Sequence, residues 1–289
     1  MCQDLCPSTE PLVFKYSFNC MNPFIVNKKS QDKESHPAQC GKCIMFRKRR
    51  INQWAFRLQE HFKQCHTAWF ITLTYDTNYI PFTPTGLKTI SKRDIQLFFK
   101  KLRKSTTDKI SYYVAGEYGE SFERPHYHII LFNAKVEAIQ KAWDKGMVYY
   151  GDVNIKSIRY TLKYLHKPTK IPLYDGDDRQ PEFQLNSKGL GLSYLTEDMI
   201  AWHKHNPTER NYVNFDGDKK MAMPRYFKDK IFNDLERDKI QAKQKRQANY
   251  NQMTLENMSV YDSQKFIHQV KETNKHIERQ MSLKNYDYV

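Results

Sequence analysis

Nowhere in the 289 residues do about 18 consecutive apolar positions occur, the length that a membrane-spanning helix needs. The opening residues Met1 to Glu10 also lack the basic start and apolar run of a secretory signal, so a cytosolic protein with no membrane partner is expected. No cysteine follows Cys65, and the six present crowd into the first quarter of the chain. In a reducing compartment that argues against a disulfide framework. Glycine is scarce, with 10 residues, and no Walker-type phosphate loop occurs, which argues against a nucleotide-driven motor. Gly189-Leu190-Gly191-Leu192 is too short for such a loop and reads as a turn with close backbone approach.

Positive charge is abundant instead. Forty-seven Lys and Arg against 32 Asp and Glu give a formal net charge of +15, which attracts a polyanion wherever it is displayed. Nucleic acid is the first candidate and an anionic membrane surface the second. Cys40-Gly41-Lys42-Cys43 has zinc-knuckle spacing, and Cys20, Cys65 or the Cys2/Cys6 pair could complete four ligands for a structural Zn²⁺. With no second CxxC, reduced and partly buried thiols remain the other reading.

Periodicity divides the chain into five segments. Residues 1–39 are irregular and contain cysteines; residues 40–66 join the CxxC to a basic amphipathic helix over Ile44 to Phe62, where Arg47, Lys48, Arg49 and Arg50 are candidate DNA contacts. Residues 67–170 form the core. Within it, Trp69 to Tyr75 reads as a strand, Ser91 and Asp94 open a helix with Ile95, Phe98, Phe99 and Leu102 on one face, and Ile110–Tyr118 and His126–Phe132 form a hairpin. Val136 to Trp143 reads as a short helix, Met147 to Val153 as a strand, and Asn154 as the N-cap of a further helix. Residues 171–227 extend the core, with Leu173 to Leu185 a loop. Residues 228–289 read as a charged helix followed by a loose tail.

Two motifs carry chemistry. In Pro125-His126-Tyr127-His128 the imidazoles are two positions apart on a strand, so both project from one face, as metal ligands would. Glu117 lies near the end of the preceding strand, where antiparallel pairing could bring it beside them as a third ligand, with Glu120 and Glu123 as fallbacks. Two neutral imidazoles and a carboxylate suit Mg²⁺ or Mn²⁺ and leave positions open for phosphate oxygens. In Tyr160-Thr161-Leu162-Lys163-Tyr164 two phenols lie one helical turn apart, each followed three residues later by a lysine, Lys163 and Lys167, able to steady a phenolate or a scissile phosphate. Tyrosine suits a strand that must be cut and later resealed, because a phosphotyrosyl ester conserves the bond energy that hydrolysis would release.

These motifs, in this order, resemble the HUH endonuclease superfamily. Thr72-Leu73-Thr74-Tyr75 looks like its first strand motif, Pro125 to His128 its second, and Tyr160 to Tyr164 its tyrosine helix. Within it the match is to replication initiators of microviruses, in particular the gokushovirus branch, through Cys40 to Cys43 with the basic helix, Gly116-Glu117-Tyr118-Gly119 and Met223-Pro224-Arg225-Tyr226. The resemblance implies an α+β fold with about five mainly antiparallel strands and helices packed on the sheet. It also implies metal-dependent nicking of phage origin DNA, single-stranded or supercoiled. Tyr160 and Tyr164 would be alternate nucleophiles, His126 and His128 metal ligands, and a 5′-phosphotyrosyl linkage the intermediate of rolling-circle replication in the infected bacterial cytoplasm. A host helicase and a host DNA polymerase are then the expected partners. A conjugative relaxase or HUH single-strand transposase shares the chemistry, and a non-enzymatic protein stacking single-stranded DNA on its 19 tyrosines is the third reading.

Overall fold

The computed structural model describes residues 24–26, 36–38, 43–119, 122–163, 171–215, 217 and 219–283. In chain order these form β1 (Phe24–Val26), β2 (His36–Ala38), α1 (Ile44–Phe62), β3 (Ala68–Thr74), α2 (Lys92–Lys104), β4 (Ser111–Tyr118), β5 (Pro125–Phe132), α3 (Val136–Ala142), β6 (Val148–Asp152) and α4 (Ile155–Leu162). There follow β7 (Phe183–Asn186), α5 (Glu197–His205), β8 (Tyr212–Asn214), β9 (Lys220–Ala222), α6 (Arg225–Ile231), α7 (Asp234–Glu256) and α8 (Val260–Leu283). The chain divides into two compact units, residues 51–201 with 214–220, and residues 1–50, 202–213 and 221–289.

The first unit is α+β, built on a five-stranded sheet in the order β6-β3-β5-β4-β7. Every neighbouring pair is antiparallel, in agreement with the expected HUH-like fold. Side-chain alternation gives the sheet two unlike faces. One face presents Ile71, Leu73, Val114, Tyr127, Ile129 and Leu131 to Ile95, Phe98, Phe99 and Leu102 of α2 and to Ile139 of α3, forming the main core. The apolar stripe of α2 recurs every three or four residues, which is why one helix can cover several strands. Its start is fixed by Ser91, whose side chain accepts a hydrogen bond from the Asp94 amide. The Asp94 carboxylate does not complete a capping box; it accepts instead from the Tyr75 hydroxyl at 2.8 Å, tying the helix to the end of β3.

The opposite face is covered by the second half of α1 and by α4. Trp54 meets Tyr113 with ring centroids 5.2 Å apart, and His61 meets Phe132 at 4.9 Å. Helix α4 begins with a full capping box: Asn154 accepts from the Ser157 amide, and the Ser157 hydroxyl reaches back to the Asn154 backbone. Gly191 turns the chain against α1. Its φ of +77° favours glycine, and a Cβ there would sit 2.6 Å from the Arg57 carbonyl oxygen, the close approach expected of the GLGL run.

In the second unit β1 pairs antiparallel with β2 inside a segment expected to be irregular. The region past Phe227 also departs from expectation, since the loose tail contains a second long helix, α8. Its Phe266, Ile267, Val270, Asn274 and Ile277 recur every three or four residues and are the less exposed positions, a stripe that a high charged content conceals. Within the first unit β7 replaces part of the loop expected over Leu173 to Leu185. Only four residues long, it alternates Phe183 and Leu185 with Gln184 and Asn186 and is specified by pairing with β4. Among the described residues no helix is long and apolar enough to cross a membrane.

Candidate active site

The site grows from the register of three strands. His126 lies opposite Glu117 on one side and Thr74 on the other; His128 lies opposite Ala115 and Thr72. In-register partners share a face, so Glu117, both histidines and both threonines emerge together from the face that α4 covers. Glu117 Oε1 lies 2.8 Å from His126 Nε2 and 2.9 Å from His128 Nε2. Among the described residues these three are a group able to hold a metal ion, with ligand atoms all within 4.8 Å of one another.

The remaining ring nitrogens are engaged. His126 Nδ1 is 3.0 Å from the Arg124 carbonyl, which can only accept, so Nδ1 carries the proton and a neutral ring turns its Nε2 lone pair towards Glu117. A lone pair facing a carboxylate at that distance is repulsive unless a proton or a cation stands between them, so the donor set itself calls for positive charge. His128 Nδ1 is 2.9 Å from the Thr72 hydroxyl, an outer partner of the kind that orients a ligating imidazole. Glu117 and His128 are each only 6% exposed. Burial opposes ionisation of Glu117, but hydrogen bonds from His126 and then His128 outweigh it and hold the carboxyl well below the usual range. Burial lowers the His128 imidazole, against the opposing hydrogen bond to Glu117, which favours the neutral ring that a metal requires.

Helix α4 places Tyr160 on this cluster. Its ring centroid is 5.0 Å from that of His128, edge to face, and 6.0 Å from that of Phe70, which itself stacks on His128 at 5.8 Å. The Lys163 ammonium lies 3.8 Å from the centre of the Tyr160 ring. Tyr160 and Lys163 thus join the Glu117–His126–His128 group, whereas Tyr164 and Lys167 lie outside the described residues. So does the fallback ligand Glu120. Glu123 is engaged elsewhere, its carboxylate 2.6 Å from the Arg179 guanidinium.

Lys48, Arg49 and Arg50 are exposed and Arg47 half-buried at the start of α1, in the other unit. Of the zinc candidates, Cys2, Cys6, Cys20 and Cys40 lie outside the described residues. Burial raises the Cys65 thiol to about 11, and its sulfur donates to the His61 carbonyl, so it is held as a thiol rather than a metal-binding thiolate. Sequence reasoning missed the orienting parts: Thr72, the Arg124 carbonyl and the Phe70 ring. Thr72 left a signal, because Thr72 and Thr74 are the polar alternate positions of an otherwise apolar strand.

Comparison with known proteins agrees with this geometry. Residues 68–169 match the family model that covers the replication-associated protein ORF2 and the gene-2 protein. The chain is 29% identical over 243 residues to the replication-associated protein ORF2 of Spiroplasma virus 4, covering 75% of this chain and 74% of the relative. It is 25% identical over 243 residues to the replication-associated protein VP4 of Bdellovibrio phage phiMH2K, covering 74% of each. Against the replication-associated protein ORF4 of Chlamydia phage 1 it is 24% identical over 225 residues, 68% of this chain and 53% of the relative. No solved structure matches the chain. Residues 68–169, which supply four of the five sheet strands and the whole Glu117–His126–His128 cluster, are a domain of this replication-associated protein family.

Proposed function

We propose that this chain is a replication initiator that nicks phage replicative-form DNA at its origin by metal-dependent tyrosine attack and later rejoins the displaced strand. The observation that carries this reading is the convergence on one sheet face of Glu117, His126 and His128 with the Tyr160 ring. A phosphodiester repels nucleophiles through its anionic oxygens, so cleavage needs charge neutralisation beside a positioned nucleophile. The three ligands would hold Mg²⁺ or Mn²⁺, which supplies that neutralisation when bound.

The chain's own residues supply the rest. Tyr160 Oη forms a bond to phosphorus as the bond from phosphorus to the 3′ oxygen breaks. The phenol proton leaves, the 3′ oxygen takes up a proton, and the DNA 5′ phosphate stays on the enzyme as an ester. Lys163, against the phenol ring, stabilises the phenolate that attack requires. No water is consumed, so the step runs backwards when a 3′ hydroxyl returns, and Tyr164 provides a second acceptor for the regenerated origin. Unwinding and synthesis fall to a host helicase and a host DNA polymerase. Incubation of purified protein and Mn²⁺ with supercoiled DNA carrying the phage intergenic region should give nicked circles with protein on the 5′ end. Absence of any adduct on either strand would overturn the reading.

A further inference from the structure

Strand β6 forms one edge of the sheet and carries two exposed side chains on the face that bears the site. Tyr149 lies opposite Thr72, which lies opposite His128, so the three share a face and the Cα of Tyr149 stands two strand spacings, about 10 Å, from that of His128. Met147 follows on the same side, with its carbonyl accepting from the Thr74 amide. Tyr149 is 54% exposed and Met147 60% exposed. Their contact is with each other, Tyr149 Oη to Met147 Sδ at 3.7 Å. Tyr150, one residue on, behaves differently: it faces the core side and packs edge-on against Trp69.

We propose that Tyr149, backed by Met147, is a stacking platform for one base of a single-stranded DNA segment, next to the nucleotide whose phosphate is cut. The inference rests on the nuclease reading above and adds a binding subsite to it. A single phenol ring with a thioether beside it matches the area of one base, and any base offers a π face to it. The distance to His128 suits a neighbour of a phosphate lying over the Glu117–His126–His128 cluster, and the excess of positive charge, +15 overall, favours a polyanionic strand over an apolar partner.

The test uses the full chain and a mixed-sequence single-stranded 20-mer carrying a fluorophore and scattered 5-iododeoxyuridines. Irradiation should cross-link Tyr149, identified by peptide mass spectrometry. Tyr149→Ala should weaken binding by roughly 5- to 100-fold, while Tyr149→Phe, which keeps the ring, should bind within about twofold of wild type. Unchanged affinity in Tyr149→Ala with no adduct at Tyr149 overturns the platform and leaves the nuclease reading standing. Ring-dependent binding by a protein that never nicks DNA supports the platform and overturns the nuclease reading. If Tyr149→Ala binds DNA normally but loses self-association that the wild type shows, the ring belongs to a protein contact and the platform is overturned.

Discussion

The two faces of the central sheet are woven from the same strands yet obey opposite rules. On the face covered by α2, residues such as Ile129, Leu131 and Leu73 are fully buried among aliphatic and aromatic neighbours, and any side chain of similar volume and polarity would serve. One position along each strand, Glu117, His128 and Thr72 are ionisable or polar, packed together, and chemically matched atom to atom. The first face holds the fold together. The second gives up some of that stability to keep charge out of water, and all of its cluster lies within the segment that matches the replication-associated protein family.

Substitutions can drive the two faces apart. The largest effect is expected on the site face with no change in stability: the double variant Tyr160→Phe with Tyr164→Phe should lose at least about a thousandfold in nicking rate, while each single variant keeps measurable activity in a supercoiled-plasmid assay. Next comes a direct contrast of neighbours. Ile129→Ala should cost about 2–5 kcal/mol in chemical denaturation but leave Mn²⁺ affinity of the folded protein unchanged. His128→Ala should remove most Mn²⁺ binding, read by calorimetry, and abolish nicking with a smaller change in stability.

Thr72→Val, which keeps volume but removes the hydroxyl partner of His128, should weaken Mn²⁺ binding by about 10- to 100-fold. The smallest effect sharpens the contrast from the core side: Asp94→Asn weakens the link to the Tyr75 hydroxyl and should cost about 1 kcal/mol with nicking unaltered.

Acid should separate the faces as well. Burial depresses the His128 imidazole in the folded protein, so as pH falls below its ordinary value of about 6.5 the unfolded chain takes up that proton first. The contribution of His128 to stability is therefore present above that pH and lost as pH falls through the depressed value. Metal binding, which needs both rings neutral, should weaken over the same direction of titration. The Glu117 carboxyl is depressed too, so its contribution disappears only in stronger acid. The aliphatic face has nothing to titrate.

Much of this was legible in the residues, for reasons specific to each. The two-residue spacing of His126 and His128 fixes their common face on any strand, and the hairpin places Glu117 opposite His126 through simple antiparallel counting. The α2 stripe and the Asn154 cap are local signals that tertiary packing did not override. Strand β7 was not legible, because four residues carry too little alternation and their strand character comes from the edge of β4. Helix α8 was hidden by charge. The Thr72 and Arg124 contacts to the histidines were hidden for another reason: a hydroxyl and a backbone carbonyl acquire those roles only once strands and loop are placed.

The most direct test of the central claim is peptide mass spectrometry of protein incubated with Mn²⁺ and origin DNA, then digested with nuclease and protease. A nucleotide linked through phosphate to Tyr160 or Tyr164, absent when His128 is replaced by Ala, is the predicted result. Nicked DNA with free 5′ phosphates and no modified tyrosine would contradict the account.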